Sequence, residues 1–330
     1  QKNKSVNFFI PVDYRAYFDV FIPPKEMLKN TENKKVHVTI TNWGAENKNP
    51  VGKITSILGD SNEHETEINS ILIDGGFSST FKESLEEKAK KIPRKITPRD
   101  VSQRLDLRET TTFTIDPGDA KDFDDAISVK KLKNNNWQIG VHIADVSHYI
   151  KEGDAIDKEA LQRGSSVYLV DRVVPMLPES LSNDLCSLKP NTDRLCFSVV
   201  FELDEGAGVA GYNITKSIIH SDKRFTYEEA QKNIDTSSGL FSKELTKIKD
   251  LSTILRKKRK DSGSINFEKT EVKFILDNKK NPIDVYFKES LATNKLIEEY
   301  MLLANKTIAK HIKFKNSRFG FVYRIHDVPD

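Results

Sequence analysis

The sequence predicts an α+β fold in more than one domain, an N-terminal β-barrel joined by a strap to a mixed α/β domain. Three observations carry this expectation. Short aromatic and β-branched segments run to about residue 76, a charged stretch punctuated by Pro fills 77–104, and strand-like and helix-like periods alternate over 105–330. At 330 residues the chain is long enough to bury two cores. Its 37% hydrophobic and 31% charged residues are ordinary for a protein in water, and no run approaches the roughly 18 apolar residues that a membrane-spanning helix needs. No membrane association is expected.

Residues 1–76 read as the strands of a small barrel. "VNFFIPV", "YFDVFIP", "KKVHVTITNW" and "VGKITSIL" are short and separated by Pro, Gly, Asn and Lys. In the third, Val36, Val38 and Ile40 alternate with His37, Thr39 and Thr41, so one face is dry and the other wet. Phe8, Phe9, Tyr14, Tyr17, Phe18 and Phe21 crowd the first two strands, and Lys25, Lys29, Lys34 and Lys35 follow. Rings interleaved with positive charge suit an OB-type or cold-shock barrel, in which each base stacked on a ring contributes roughly 1 to 3 kcal/mol. The same rings also serve as core, and composition does not separate the two uses.

In the strap, "SSTFKESLEEKAKKI" predicts an exposed helix with a Ser or Thr cap, ended by Pro93 and Pro98. Beyond it, "WQIGVHIADVSHYI" predicts a strand and turn, "TYEEAQKNI" and "SKELTKIKDLSTILRKKRKDSG" two helices, and "TEVKFIL" and "PIDVYFK" two strands. In "TNKLIEEYMLLANKTIAKHI", Ile297, Met301, Ala304, Ile308 and Ile312 recur at helical steps and form one apolar stripe. The basic run Arg256 to Lys260 closes the second helix, where the helix dipole favours cations anyway; a solvated turn is the simpler reading than a phosphate track.

Lys plus Arg at 52 against Asp plus Glu at 49 gives a net charge of +3, which neither demands nor forbids a polyanionic partner. The two cysteines, Cys186 and Cys196, are too few for a disulfide framework and lack the spacing of a zinc site. A reducing compartment, the cytoplasm, is the expectation.

The chemistry concentrates in "DPGDAKDFDDA", residues 116–126, flanked by the strand-like "TTFTI" and "AISV". Asp116, Asp122, Asp124 and Asp125 are too close in sequence to stay ionised together in a cleft without raised pKa values or a bound cation. Magnesium takes oxygen ligands and keeps waters or phosphate oxygens among them, so a few Asp on a rigid turn suffice. An EF-hand is disfavoured, since the loop lacks the alternate-residue acids, the Gly at the sixth position and the closing Glu. A hydrated acidic turn remains open on spacing alone. His142, Asp145 and His148 have no third close ligand in sequence and read as structural. Arg163, Arg172 and Arg194 suit phosphates or ordinary ion pairs equally.

"TIDPGDAKDFDDAISV", then "VHIADVSHYI", "RGSSVYLVDRVVPMLPESLSNDLCSLKPNTDRLCFSV" and "LIEEYMLLAN" resemble the RNB catalytic domain of the ribonuclease II and ribonuclease R family. "FFIPVDYRAYFDVFIPP" and "VGKITSILGD" resemble the cold-shock domain that precedes it, in a style closer to bacterial ribonuclease R. The resemblance implies a cold-shock/OB-fold RNA-binding domain over 1–76, a strap over 77–104 and the N-terminal part of the catalytic domain over 105–330. It implies a processive 3′–5′ exoribonuclease of RNA decay and processing. Such an enzyme releases nucleoside 5′-monophosphates from single-stranded RNA with Mg2+ or Mn2+, as a monomeric catalytic unit or within an RNA-degradation complex.

Carried over by position, the family's four active-site aspartates fall on Asp116, Asp122, Asp124 and Asp125, all metal-ligand candidates, with Asp116 and Asp125 holding metal and Asp124 nearest the scissile phosphate. Asp119 is a spectator. Tyr168 matches the ring packed on the 3′-terminal bases, Phe267 a second stacking ring, and Glu298 and Glu299, expected on the helix face away from its apolar stripe, a pair near the bound ribose. The family's catalytic domain continues past "YRIHDVPD" with an arginine-containing segment and an S1 domain, so the sequence reads as a central portion. Two other readings stand beside the enzyme: a homologue that grips single strands without cutting, and a phosphatase of small molecules, which leaves the barrel and Tyr168 idle.

Overall fold

A computed structural model describes residues 2–3, 6–13, 15–45, 48–264, 270–278, 280–315 and 320–325. Tyr14 and Phe267 lie outside the described residues. The chain groups into two compact units, 1–81 with 274–284 and 82–273 with 285–330.

The first unit is built on five strands, β1 (Lys2–Asn3), β2 (Val6–Phe9), β3 (Val20–Ile22), β4 (Lys34–Asn42) and β5 (Val51–Asp60), in the OB-like order β1-β2-β3-β5-β4. The alternation in β4 works as read, because Val36, Val38 and Ile40 pack on Val20, Ile22 and Ile54. The aromatics divide: Phe9 and Phe18 join that core, whereas Tyr17 is 93% exposed. Two of the following lysines are ion-paired, Lys34 with Asp60 at 3.1 Å and Lys35 with Glu67 at 2.5 Å. The expectation of strands alone fails at α1 (His64–Asp74). There Glu65 and Glu67 occupy the favoured first turn, and Ile68 and Leu72, one turn apart, are buried.

The second unit opens with α2 (Glu83–Lys90) and α3 (Pro98–Ser102). α2 has Lys82 at its N-cap and no side-chain cap, against the Ser or Thr expected; Glu83 and Glu86 in its first turn face the positive end of the dipole instead. Next come β6 (Leu105–Asp106), β7 (Thr112–Asp116), β8 (Asp125–Lys131), β9 (Trp137–Ala144), α4 (Val146–Tyr149), α5 (Ala155–Arg163), β10 (Val167–Tyr168) and β11 (Val173–Val174). β12 (Thr192–Leu203), β13 (Val209–Ser221), β14 (Lys223–Thr226), α6 (Tyr227–Asp235) and α7 (Ser242–Asp261) follow. The hairpin of β15 (Glu271–Leu276) and β16 (Pro282–Lys288), whose residues 274–284 group with the first unit, precedes α8 (Ala292–Phe314).

Seven strands form one sheet, ordered β14-β7-β8-β9-β12-β13-β6, antiparallel except for the outer pairs β14 with β7 and β13 with β6. One face carries Phe113, Ile127, Val141, Phe201 and Phe225 against Ile234, Leu245, Ile248, Leu296 and Tyr300 of α6, α7 and α8. Each such side chain, fully buried, contributes roughly 1.5 to 3 kcal/mol. The stripe read in α8 is the one that packs here, through Ile297, Met301, Ala304 and Ile308.

On the alternate face, His142 lies buried between the Ser198 hydroxyl at 2.7 Å and the Ser128 hydroxyl at 2.8 Å, and Ser198 reaches Ser217 at 2.6 Å. Burial lowers the imidazole to about 3, so it stays neutral and structural. A Cβ at Gly140 would fall 2.3 Å from the Ser128 hydroxyl and 2.5 Å from the His142 ring, which explains glycine there. Asp145 is equally inward, paired at 2.6 Å with Arg104, their side chains 1% and 3% exposed.

Replacing Arg104 with Met leaves Asp145 as a buried charge held by the Ser147 hydroxyl at 2.9 Å, with Lys216 at 3.7 Å as its remaining cation, and should cost about 3 to 5 kcal/mol in urea denaturation. The double variant Arg104→Met/Asp145→Leu should recover most of that loss, since the penalty belongs to the stranded charge.

Candidate active site

β7 ends at Asp116 and β8 begins at Asp125, so the acidic stretch is the connection between two neighbouring strands. Their antiparallel pairing is recorded at Thr112 with Ser128 and Phe113 with Ile127. Nearer the loop, β7 runs with β14, Thr114 beside Arg224 and Asp116 beside Thr226, while Asp125 pairs with Ile143 of β9. The two strand ends are thus held by different neighbours, which leaves room for the loop between them.

Asp116 is buried, and burial pushes its carboxyl up to about 6; the Thr114 hydroxyl and Arg224 pull it down, while Asp124 and Asp122 add repulsion. Asp125 is raised to about 7, by burial first and then by the charges of Asp116 and Asp124. Asp124 has more access to solvent, yet desolvation and the charge of Asp122 raise it as well. All four aspartates predicted from sequence therefore meet in one electrostatic cluster. Asp119 is exposed.

Tyr168, at the end of β10, is 69% exposed. Its phenol is raised by desolvation and by the charges of Asp122 and Asp124, so it lies within the field of the cluster. Tyr227, not singled out from sequence, also belongs here. Its phenol is raised to about 12 by burial and by the charges of Asp125 and Asp116. A capping box, Thr226 with Glu229, starts α6 at Tyr227 directly after β14. That signal was legible in "FTYEE"; its proximity to Asp116 was not.

Other candidates separate. Glu299 is buried rather than on the polar face, because Arg259 takes its carboxylate at 2.5 Å and also donates to Ser264 at 2.6 Å. Glu298 remains 55% exposed, 3.6 Å from the same guanidinium. Arg259 is thus a link between α7 and α8 and not a solvated turn residue. Arg163 and Arg172 pair with Glu159 and Asp171, while Arg194 donates to the Ser187 and Asp184 carbonyls. Cys186 and Cys196 are free, buried thiols.

Among the described residues no three His, Cys, Asp or Glu side chains converge tightly enough to cage a metal ion. Magnesium does not require such a cage, since one or two carboxylates plus water and substrate phosphates commonly complete its shell. The donors here suit it: all are carboxylate oxygens, and Oδ2 of Asp116 is sealed from solvent with no hydrogen-bond partner.

Residues 104–330 match the RNB domain and 8–82 the cold shock domain. Ribonuclease R of Thermotoga maritima is 40% identical over 336 residues, covering 99% of this chain and 47% of that protein. The human exosome complex exonuclease RRP44 is 37% identical, covering 90% and 31%. The structure of Mycoplasma genitalium RNase R with ribose-methylated single-stranded RNA superposes with a TM-score of 0.85 at 27% identity, over 94% of this chain and 51% of that one. The chain spans about half the length, or less, of the relatives it matches.

Because Asp125 is raised above the ordinary carboxylate value, the folded state holds its proton more tightly than the unfolded chain between about pH 4 and 7, and folding stability falls as pH rises through that window. Asp125→Asn, neutral throughout, should therefore melt a few degrees higher than the parent at pH 8 without divalent cation, and the difference should close near pH 4.

Proposed function

The chain belongs to the family of RNB-domain ribonucleases, and on that premise we propose that it is the cold-shock domain and leading catalytic portion of a processive 3′–5′ exoribonuclease. The observation that carries this is the single loop on which Asp116, Asp122, Asp124 and Asp125 cluster with Tyr168 beside them. In this reading residues 1–76 bind RNA, 77–104 form the strap and 105–330 cut.

The cation is Mg2+, with Mn2+ as substitute, held through Asp116 and Asp125 with Asp124 and Asp122 alongside. When bound it supplies charge neutralisation at the scissile phosphate and acidifies a water. The side chains do the rest. Asp124, the more open of the raised carboxylates, would face the phosphate and its attacking water; Asp116 and Asp125, raised by burial, would hold the cation in their deprotonated form. Tyr168 offers an exposed ring for the 3′-terminal base, a sequence-independent grip, with Phe267 as the second ring. Tyr227, protonated at neutral pH, is a donor beside the carboxylates. Of the glutamates, Glu298 is free enough to meet a ribose, while Glu299 anchors Arg259. The products are nucleoside 5′-monophosphates.

Single-stranded RNA is the proposed substrate, consistent with a homologue solved on it, and RNA decay and processing the proposed role. The place of work is the cytoplasm, as a monomeric catalytic unit or in an RNA-degradation complex such as the one RRP44 is named for. No helix among the described residues is long and apolar enough to cross a membrane.

The test uses 5′-labelled single-stranded RNA with Mg2+, resolved at single-nucleotide steps beside a DNA oligomer. Shortening from the 3′ end, slowed at least about 100-fold by Asp124→Asn and absent on DNA, is expected. Intact RNA that still binds with strong salt dependence would replace this reading with that of a gripping module. Tyr168→Ala should weaken RNA binding by about 1 to 3 kcal/mol in a filter or anisotropy titration.

A further inference from the structure

A loop that concentrates carboxylates opposes its own shape, so something outside it must fix residues 117–123. Two side chains do this, one toward each end of the segment, and both come from distant sequence. Ser187 is fully buried; its hydroxyl accepts from the Phe123 N–H at 3.0 Å and donates to the Lys121 carbonyl at 3.0 Å. The next amide, Leu188, donates to the Phe123 carbonyl at 2.8 Å. Ser187 is itself held, because Arg194 donates to its carbonyl at 2.8 Å, and it sits just after a single π turn at Leu181–Leu185. One hydroxyl thus serves a donor and an acceptor of the loop, which no alanine can do.

Arg224 holds the other end. Its Nη2 donates to the Pro117 carbonyl and, at 3.1 Å, to the Gly118 carbonyl, and its guanidinium lies 5.4 Å from the Phe123 ring centroid. Its Nε is buried without a partner, a cost that a merely solvated arginine avoids. The register of β14 against β7 puts it there, one residue pair removed from Phe225 beside Ile115.

We propose that Ser187 and Arg224 are positioning residues that clamp the acidic loop between them and so set where Asp122 and Asp124 stand relative to Asp116. This rests on the reading of the loop as a catalytic centre. Neither residue needs to touch RNA. Their effect is on placement, and a misplacement near 1 Å in a reacting array costs on the order of 100-fold in rate.

The experiment compares the chain with its Ser187→Ala, Ser187→Thr and Arg224→Lys variants by amide hydrogen exchange, RNA binding without divalent cation, and RNA cleavage with Mg2+. Ser187→Ala should lose about 10-fold or more of the protection at the Phe123 and Leu188 amides while β9 and β12 keep theirs. Cleavage should fall about 10- to 100-fold with RNA affinity within about twofold. Ser187→Thr, which keeps the hydroxyl, should recover much of both. Arg224→Lys keeps the charge but loses the fork and the ring contact, and should repeat the pattern from the Pro117 end of the loop even if the buried alanine variant fails to fold. Unchanged loop protection in Arg224→Lys, or loop protection lost with cleavage at the parent rate, overturns the proposal. A parent chain that does not cut RNA would instead sink the functional reading, while the exchange measurement still decides the clamp.

Discussion

Like charges a few ångströms apart repel by roughly 1 to 4 kcal/mol per pair at the dielectric of water or of a protein surface, and this repulsion is the constraint around which the larger unit is organised. Asp116, Asp122, Asp124 and Asp125 stand on one connection, partly shielded from the solvent that would otherwise screen them. The frame absorbs the resulting stress. Phe113 meets Phe225 edge-on at 5.7 Å, locking β7 to β14, and three helices cover that face of the sheet. The raised carboxyls are a store of unfavourable charge that a cation or a proton relieves, so the site is built to want a positive partner.

Two buried polar groups in the middle of the sheet are, by contrast, internally paired. His142, Ser128, Ser198 and Ser217 form a closed hydroxyl and imidazole row with no charge at neutral pH. Arg104 and Asp145 neutralise each other. At the acidic loop, Oδ2 of Asp116 and Nε of Arg224 are buried without a partner, and the carboxyls of Asp116 and Asp125 are raised.

Much of this was legible along the chain. The alternation of Val36, Val38 and Ile40, the stripe through Ile297 and Ala304, and the four aspartates all depend on neighbours within a few residues. What escaped was non-local or competitive. α1 hid among strand-forming residues because a short helix with one buried ridge, Ile68 and Leu72, barely exceeds the strand signal around it. Glu299 was placed with Glu298 on the polar face of its helix because the sequence does not reveal that Arg259, 40 residues earlier, returns to meet it. Ser187 and Tyr227 carry no local mark of their position, since only the sheet brings them to the loop.

The two thiols carry a consequence of another kind. Cys186, adjacent to Ser187, is raised to about 12 by burial, and Cys196 is raised still further, so neither offers appreciable thiolate in the folded chain. Alkylating reagents and peroxides can reach them only through molecules whose structure has opened. The pair therefore acts as a built-in recorder of breathing: Cys186 times the loosening of the segment that supports the acidic loop, and Cys196 times the parting of β12 from its neighbours at the middle of the sheet.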